Sequence, residues 1–402
     1  MEWRDTRVPH GSIPTEAKDS AMTATDHIVV VNTGSTSTKC SIHRIDPGGP
    51  VEVTADCIRH PDDLVHRFPT IADQLDHREE LVRAFLDKHL PERKCRAMGA
   101  IGGMLPPVPS GVIEMNDELA YFSHKTPVYQ HASNLAAPLV HRLSKDYGCP
   151  TYAVDPVGVD EMAPIARISG APDFPRFSFV HALNIRATVR KLAAQLGKRF
   201  EEMRCVACHL GGGYSIAPFD RGRIVDSDNR MEGAPFTPER AGGIPPIPLL
   251  EACFSGKYTK QELHKKLYGA GGIYGYLGTK DIKEVVRRIK EGDAFAKFIY
   301  DAMIYQICKE IGAMASVLDF DMDGIIVTGG VANEKYLAAE ITRKCERLGK
   351  IYIFPGENEN EAIAGSVWRV LTGAEKAMHW PDCIMKDADI DPLYEWRKSR
   401  EK

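Results

Sequence analysis

The stretch that decides the fold is His27-Ile-Val-Val-Val-Asn32, followed by the turn Thr33-Gly34-Ser35-Thr36-Ser37-Thr38-Lys39 and by Cys40-Ser-Ile-His43. An apolar, β-branched run that stops at a cluster of Gly, Ser and Thr predicts a strand, a tight turn and a second strand. The same pattern recurs at 204–225, where an apolar run is followed by Gly211-Gly212-Gly213 and by two further short strands. The sequence therefore contains two copies of one strand-turn-strand unit.

Helices and further strands alternate between and after these units. Helical periodicity occurs at 71–90, 134–147, 281–291 and 294–318, from about 334, and in a last helix from about 359. Short apolar strands are predicted at 97–101, 151–154, 324–327 and 350–354. Such alternation is typical of layered α/β domains. We predict a duplicated α/β fold whose two halves place their glycine-rich turns on opposite sides of a cleft.

Composition excludes several classes of protein. At roughly 150 residues per domain, 402 residues correspond to two or three domains. The hydrophobic share of 43% and the charged share of 26% are ordinary for a globular chain. With 51 Lys and Arg against 55 Asp and Glu, the net charge of −4 favours neither nucleic acid nor an anionic membrane as a partner. No run approaches the roughly 18 apolar residues of a membrane span.

The first 26 residues are polar and lack the apolar core of a signal peptide. We expect a disordered N-terminal extension over 1–26, or a true start at Met22, and a cytoplasmic protein. Ten scattered cysteines then indicate reduced thiols rather than disulfides. Cys205-Val-Ala-Cys208-His209 matches a haem-attachment pattern. Residues three apart on a strand point to opposite faces, however, so neither haem nor a metal pair is expected there.

Three glycine-rich turns follow predicted strands directly, at Gly34, at 211–213 and at Gly329-Gly330. Each leaves backbone N–H groups exposed where no Cβ hinders a ligand, which suits phosphate oxygens. The standard P-loop and dinucleotide-binding fingerprints do not occur in the sequence. Three such turns at comparable positions favour nucleotide binding.

Segments spread along the chain carry a more specific pattern: 30–39, 154–161, 209–213, 235–243, 254–259, 328–330 and 355–357. In order and spacing, from about Asp26 to Ala377, they resemble butyrate kinases of the acetokinase family. The resemblance implies two ribonuclease-H-like lobes around an ATP cleft, as in sugar kinases, actin and the heat-shock chaperone. It places the first lobe, on the carboxylate and metal side, at 27–163 plus 360–402, and the nucleotide-binding lobe at 164–359.

The implied reaction is reversible transfer of the γ-phosphoryl group of ATP to a short-chain carboxylate, giving an acyl phosphate and ADP. A carboxylate is already ionised at neutral pH and needs no general base. The site must instead bring two anions together with cationic donors and Mg²⁺. By resemblance, Arg240 stabilises the transferring group, His209 and His181 reach the phosphates, and Asp155 orients a metal-bound water or Arg240.

The remaining candidate residues also follow from the resemblance. The phosphate turn comprises Gly34, Ser35, Thr36, Ser37 and Lys39. The Mg²⁺ side comprises Asn32, Ser37 and Glu359, although Glu357 and Glu361 are close in sequence and could also simply begin a helix. The nucleotide site comprises Gly211, Gly212, Gly213, Asp281, Gly329, Gly330 and Asn333.

One position departs from the family. Butyrate kinases commonly carry Arg directly before the glycine pair matched by Gly102-Gly103, whereas this chain has Ile101. Loss of a bidentate cation could weaken or redirect activity, and Arg142, Lys125 and Arg167 are candidates for compensation. Apolar residues considered for the acyl pocket are Val157, Met104, Leu105 and Val112.

The preferred acid is expected to be butyrate or a branched relative. Open alternatives are an acetate or propionate kinase, a kinase of a sugar or other hydroxyl compound, and an ATP-binding paralogue with weakened catalysis. The resemblance also implies a homodimer or larger homo-oligomer.

Overall fold

The computed structural model describes residues 27–61, 67–228 and 233–400, so the predicted extension over 1–26 lies outside the described residues. The first sheet contains β1 (His27–Thr33), β2 (Ser37–Asp46), β3 (Gly49–Arg59), β4 (Ala97–Ile101), β5 (Val112–Glu114), β6 (Thr151–Val154) and β12 (Met378–His379). Their order is β12-β5-β6-β4-β1-β2-β3. Strands β1, β2 and β3 pair antiparallel, whereas β4 pairs parallel with β1, and β6 parallel with β4.

The second sheet repeats this arrangement. It contains β7 (Arg204–Leu210), β8 (Tyr214–Asp220), β9 (Arg223–Ile224), β10 (Gly324–Gly329) and β11 (Ile351–Pro355), in the order β11-β10-β7-β8-β9. Again three strands pair antiparallel and two parallel strands follow on the other side of the first. The predicted duplicated α/β fold is confirmed.

The helices pack on and between these sheets. They are α1 (Leu75–His89), α2 (Asp117–Lys125), α3 (Ala136–Tyr147), α4 (Ala182–Leu196), α5 (Pro246–Phe254), α6 (Lys260–Leu267), α7 (Gly272–Leu277), α8 (Ile282–Lys290), α9 (Ala294–Val317), α10 (Lys335–Cys345), α11 (Glu359–Leu371), α12 (Asp387–Ile390) and α13 (Tyr394–Lys398). The expectation that the helix from about 359 is the last was wrong, because α12 and α13 follow it. No helix in the described part of the chain is both long and apolar enough to cross a bilayer.

Helices α4 and α11 hold the two halves in contact with each other. Helix α11 packs on β1 and β4, α4 packs on β7 and β10, and the two helices contact each other. The contact of α11 with β4 is close at Gly99, where a Cβ would lie 2.6 Å from Ile363. Helix α4 ends at Gly197, whose left-handed conformation suits a C-terminal glycine.

Strand alternation distributes apolar side chains to both faces of each sheet. In β1, Val29 and Val31 belong to one buried cluster, whereas Ile28 and Val30 belong to another that includes α11. In β7, Cys205 and Cys208 likewise point into different clusters. All ten cysteines are free thiols, as the sequence predicted. The strands that carry the turns therefore have fixed registers, and their carboxyl ends meet at one cleft.

Candidate active site

A cleft of about 350 Å³ lies where the strand ends of both sheets converge. The first sheet contributes Asn32 and Thr33 at the end of β1, Ile101 at the end of β4 and Asp155 after β6; the second contributes His209, Gly212 and Glu357. Helix α4 adds residues at its start, and α11 adds Glu359. Most predicted catalytic, phosphate-turn and metal-side residues thus line one cavity.

The turn between β1 and β2 faces this cleft. Its backbone closes through a hydrogen bond from Gly34 N to Ser37 O of 2.8 Å. Gly34, Thr36, Ser37 and Lys39 line the cleft, whereas Ser35 is exposed and is not among the lining residues. The Gly34 N–H is therefore engaged within the turn, and the side chains that the turn brings to the cleft are those of Thr36, Ser37 and Lys39.

A buried arginine that the sequence analysis missed supports this turn from below. Arg78, only 1% exposed, donates from Nη1 to Gly34 O at 3.0 Å and to Thr38 Oγ1 at 3.1 Å. Burial lowers the pKa of Arg78 to about 10, so it remains charged at neutral pH. It both fixes the turn and adds positive potential beneath it. The sequence does offer one signal of this burial: helical spacing in α1 places the charged side chain of Arg78 on the face that packs against the core.

An ion pair joins the two sheets at the cleft. Lys39 Nζ lies 2.6 Å from Glu357 Oε2. Burial opposes the lysine charge, but the Glu357 carboxylate outweighs it and raises the pKa of Lys39. Burial also opposes the charge of Glu357, yet Lys39 and His209 lower the pKa of this carboxyl. Glu357 is thus engaged by Lys39.

The three neighbouring acids occupy different positions. Asn32 donates from Nδ2 to Glu359 Oε2 at 2.5 Å, and both residues line the cleft. Glu361 lies outside it and pairs with Lys191 at 2.9 Å. The geometry therefore favours Glu359 over its neighbours for the metal side. Within the described ranges no group of three or more His, Cys, Asp and Glu side chains forms a metal cage.

The two predicted histidines are in contact. The rings of His181 and His209 stack with centroids 4.0 Å apart and planes inclined by 20°. His181 Nδ1 lies 2.8 Å from Ser215 Oγ, which anchors the pair to β8. His209 is only 2% exposed. Both rings line the cleft, so their nitrogens can reach one ligand group.

Arg240 is held over the glycine turn between β7 and β8. Thr237 Oγ1 accepts from Arg240 N at 3.0 Å and donates to Gly212 O at 2.9 Å. A Cβ at Gly213 would lie 2.2 Å from Arg240 Nη1, so glycine is required there for this approach. Burial lowers the pKa of Arg240.

Asp155 lines the cleft in a strained backbone conformation, with φ of 35°. Its Oδ1 accepts from Gly111 N at 2.7 Å and lies 3.3 Å from Arg186 Nε. Burial raises the pKa of this carboxyl against the effect of Arg186. The contacts that hold Asp155 are thus with Gly111 and Arg186.

A second cavity, of about 920 Å³, lies between α8, α10 and the turn after β10. It is lined by the predicted residues Asp281, Gly330 and Asn333, and its walls include apolar residues that the sequence analysis did not name: Ile282, Val286, Ile289, Val331 and Tyr336. Gly329, with φ of +91°, lies so close to β7 that a Cβ would be 2.4 Å from Leu210 O. Gly211 and Gly213 belong to the β7–β8 turn itself, closed by Gly211 N donating to Gly213 O at 3.2 Å.

The apolar wall of the first cleft differs from the expected one. Met104 and Val157 line it, together with Ile101, Val180 and Leu183. Leu105 and Val112 do not line it, because their side chains pack into the core clusters of the first sheet. Both were wrong as pocket candidates, since apolar residues near strand ends also fill the interior.

Arg142, Lys125 and Arg167 do not replace a cation at Ile101. Arg142 pairs with Asp76 and Glu79 on the surface. Arg167 forms a buried pair with Asp160, at 2.6 Å. Lys125 is exposed at the end of α2. The position before Gly102 is therefore apolar, and none of these three side chains supplies the missing cation.

Comparison with known proteins agrees with this architecture. The acetokinase family profile matches residues 177–366. Relatives named probable butyrate kinase 2, from Caldanaerobacter subterraneus subsp. tengcongensis, and probable butyrate kinase, from Listeria monocytogenes serotype 4a, are each 40% identical over 87% of this chain and 98% of their own length.

Solved structures share the fold at lower identity. The acetate kinase of Porphyromonas gingivalis superposes with a TM-score of 0.67 at 18% identity, covering 86% of this chain and 99% of that one. A propionate kinase from Francisella tularensis subsp. tularensis gives 0.65 at 19%, covering 85% and 98%. The fold, the converging strand ends and the identity to full-length relatives agree, and the chain belongs to the acetokinase family.

Proposed function

We propose that this protein is a short-chain fatty acid kinase that transfers the γ-phosphoryl group of ATP reversibly to butyrate or a branched relative, giving an acyl phosphate and ADP. One observation carries the proposal: a single cleft places Arg240, His181 and His209 next to a wall of Ile101, Met104, Val157, Val180 and Leu183. Such a cavity suits a ligand with an anionic head and a short hydrocarbon tail. The names of the 40% identical relatives support butyrate as the substrate.

The residues of the cleft meet the main demand of this reaction, the approach of two anions. The carboxylate attacks without deprotonation, so proton removal is not required of Asp155. Arg240 and the stacked histidines are placed to offset charge on the transferring group. Arg78 adds positive charge at the phosphate turn, and Lys39 brings a second cation there that is paired with Glu357.

The donor set on the opposite side suits Mg²⁺. Asn32, Ser37 and Glu359 supply oxygen atoms, which this hard ion prefers. Among the residues that the structure describes, too few carboxylates converge to form a complete protein cage. That combination fits an ion that retains waters and phosphate oxygens as ligands. When bound, Mg²⁺ would neutralise phosphate charge.

The larger cavity is assigned to the adenosine part of ATP. Its apolar walls suit a purine, Asp281 suits ribose hydroxyls, and Asn333 suits polar groups of the base. The turn at Gly329 and Gly330 leads from this cavity toward the β7–β8 glycine turn. We assign Gly211, Gly212 and Gly213 to the phosphates between the two cavities.

The lobe boundaries, assembly and location remain proposals. We assign 27–163 plus 360–402 to one lobe and 164–359 to the other. The contact of α11 and β12 with the first sheet supports this division. We further propose a homodimer or larger homo-oligomer in the cytoplasm.

A hydroxylamine trap tests the function. Purified protein is incubated with ATP, Mg²⁺ and linear or branched acids of two to six carbons, and acyl hydroxamate is measured. We expect the highest kcat/KM with butyrate or isobutyrate, and Arg240→Ala to lose at least about 100-fold in kcat. A higher kcat/KM with acetate would reject the proposed specificity. Absence of hydroxamate with every acid, or equal rates for wild type and Arg240→Ala, would reject the proposed chemistry.

A further inference from the structure

A third cavity, of about 160 Å³, lies between α4 and α11, behind the catalytic cleft. Four cationic side chains line it: Arg186, Arg190 and Lys191 of α4, and Arg369 of α11. We refer to these four residues and the space between them as the arginine pocket. Arg186 and Arg190 are four residues apart on one helix, so their side chains lie on the same face.

Carboxylates offset only part of this charge. Glu361 pairs with Lys191 at 2.9 Å, and Glu375 pairs with Arg369 at 2.9 Å. Arg186 lies 3.3 Å from Asp155, but its Nε is buried without a hydrogen-bond partner. Arg186 is itself only 7% exposed. A buried guanidinium with an unused donor beside a cavity is costly unless something accepts from it.

Arg190 has no carboxylate partner among the described residues. Its guanidinium carbon lies 3.8 Å from the centroid of the Phe200 ring. Stacking of this kind uses the face of the guanidinium plane, so the N–H groups at its edge can still donate hydrogen bonds. Burial lowers the pKa of Arg190 to about 10, and the like charges of Arg369 and Arg186 act in the same direction. Arg190 remains positive at neutral pH, so the pocket holds an excess of cationic charge.

We propose that the arginine pocket binds a small anion bearing a phosphoryl group, at a site separate from the catalytic cleft. Guanidinium groups donate in pairs to the oxygens of a phosphoryl group, and Arg190 supplies a guanidinium that no carboxylate of the described residues engages. The cavity equals about five water volumes at roughly 30 Å³ each. That is room for one phosphoryl group rather than for a nucleotide.

The pocket is physically connected to the catalytic cleft. Asp155 and Leu183 line both cavities, and α4 begins directly after His181 at the cleft and carries Arg186, Arg190 and Lys191 to the pocket. A bound anion competes with Asp155 for Arg186, and Asp155 is in turn fixed on Gly111. Occupancy therefore changes a contact of Asp155, a residue that lines the cleft.

Calorimetric titration of the whole protein with inorganic phosphate tests this site. The cleft is first saturated with Mg²⁺, butyrate and a non-hydrolysable ATP analogue, so that only binding outside it is measured. We expect one phosphate per chain for wild type, binding at least tenfold weaker in Arg190→Gln, and intermediate binding in Arg190→Lys. Arg221→Gln is the matched control, because Arg221 is exposed in the β8–β9 turn, and it should bind like wild type.

Separate arms identify the ligand and exclude misfolding. Titration with glycerol 3-phosphate distinguishes a phosphate ester from free phosphate. Arg190→Gln should keep the wild-type melting temperature within a few degrees and its phosphate-free kcat within twofold. Equal phosphate binding by wild type and Arg190→Gln, or no binding by wild type once the cleft is filled, would overturn the proposal. Because binding rather than turnover is measured, this result is independent of whether the proposed kinase activity is found.

Discussion

Asn32 donates a hydrogen bond from its side-chain nitrogen to Glu359 at 2.5 Å, although 327 positions separate the two residues in the chain. The contact joins the end of β1 to the first turn of α11. Because the amide nitrogen of Asn32 is engaged by the carboxylate, its oxygen stays available to a cation. The proposed metal side of the cleft therefore combines a residue near the start of the described chain with one from α11.

Replacement of Glu359 by Gln removes the carboxylate charge at nearly constant size. We expect the Mg²⁺ concentration for half-maximal activity to rise at least about tenfold, because one anionic oxygen ligand is lost. Hydroxamate formation across a Mg²⁺ titration measures the change. Glu361→Gln on the same helix is the control, since that side chain pairs with Lys191 outside the cleft. An unchanged Mg²⁺ requirement in Glu359→Gln would place the ion elsewhere.

Acid selectivity should depend on Val157. Val157→Phe fills part of the apolar wall, and we expect the ratio of butyrate to acetate kcat/KM to fall by about 15-fold. That figure corresponds to two methylenes at about 0.8 kcal/mol each. Leu105→Met is a matched control, because Leu105 lies in the core and a volume-conserving change should leave the ratio unaltered. Equal ratios in all three proteins would show that the acyl chain binds another wall.

Gly329 and Gly330 offer a paired test of backbone geometry. Gly329→Ala should destabilise the fold by about 1–3 kcal/mol, because φ is +91° and a Cβ would overlap Leu210 O. Gly330→Ala should change stability by less than about 0.5 kcal/mol, since a Cβ there meets nothing within 4 Å. Urea unfolding of both variants measures the difference. Similar losses in both would mean that the β10 turn is not held against β7.

Stability should fall as the pH drops below neutrality. Burial lowers the pKa values of His43 and His60 to about 4, from an ordinary 6.5. Between about pH 6.5 and 4 these histidines therefore bind protons in the unfolded chain but not in the folded chain, so the free energy of unfolding decreases as the pH falls. Each histidine accounts for on the order of 3 kcal/mol below pH 4.

Urea midpoints at pH 7.5, 6 and 5 check this sign. His43→Gln should show a smaller loss between pH 7.5 and 5 than wild type, because one of the two buried imidazoles is gone. A wild-type midpoint that is constant or rises toward pH 5 would contradict the expectation. An identical slope in His43→Gln would remove His43 from the explanation.

The duplicated strand units were predictable because their apolar runs are short, β-branched and bounded by glycine-rich turns. Helix α4 was not predicted, although it begins directly after His181 and supplies three of the four cations of the arginine pocket. Its apolar positions have helical spacing, but Asn184, Arg186 and Thr188 are buried among them and interrupt the pattern. When polar residues are buried because they have tertiary partners, the apolar face of a helix cannot be recognised from the pattern of a single sequence.

Contacts between distant segments limited the prediction of the site in the same way. The resemblance assigned Lys39 to the phosphate turn, but its ion pair with Glu357 spans 318 positions and had no local signal. Arg78 gave no indication that it would support Gly34. Conversely, Leu105 and Met104 are adjacent and equally apolar, and only packing decides that one fills the core while the other lines the cleft.

Helix α11 has a consequence for how the protein is made. Its residues Ile363 and Val367 cover the face of the first sheet that includes Ile28 and Val30, and strand β12 adds to the edge of the same sheet. These segments leave the ribosome after the entire second half. Until residues 359–379 have been made, a nascent chain therefore lacks both the cover over Ile28 and Val30 and the cleft residue Glu359, so docking of α11 completes the core of the first sheet and the lining of the cleft in one step.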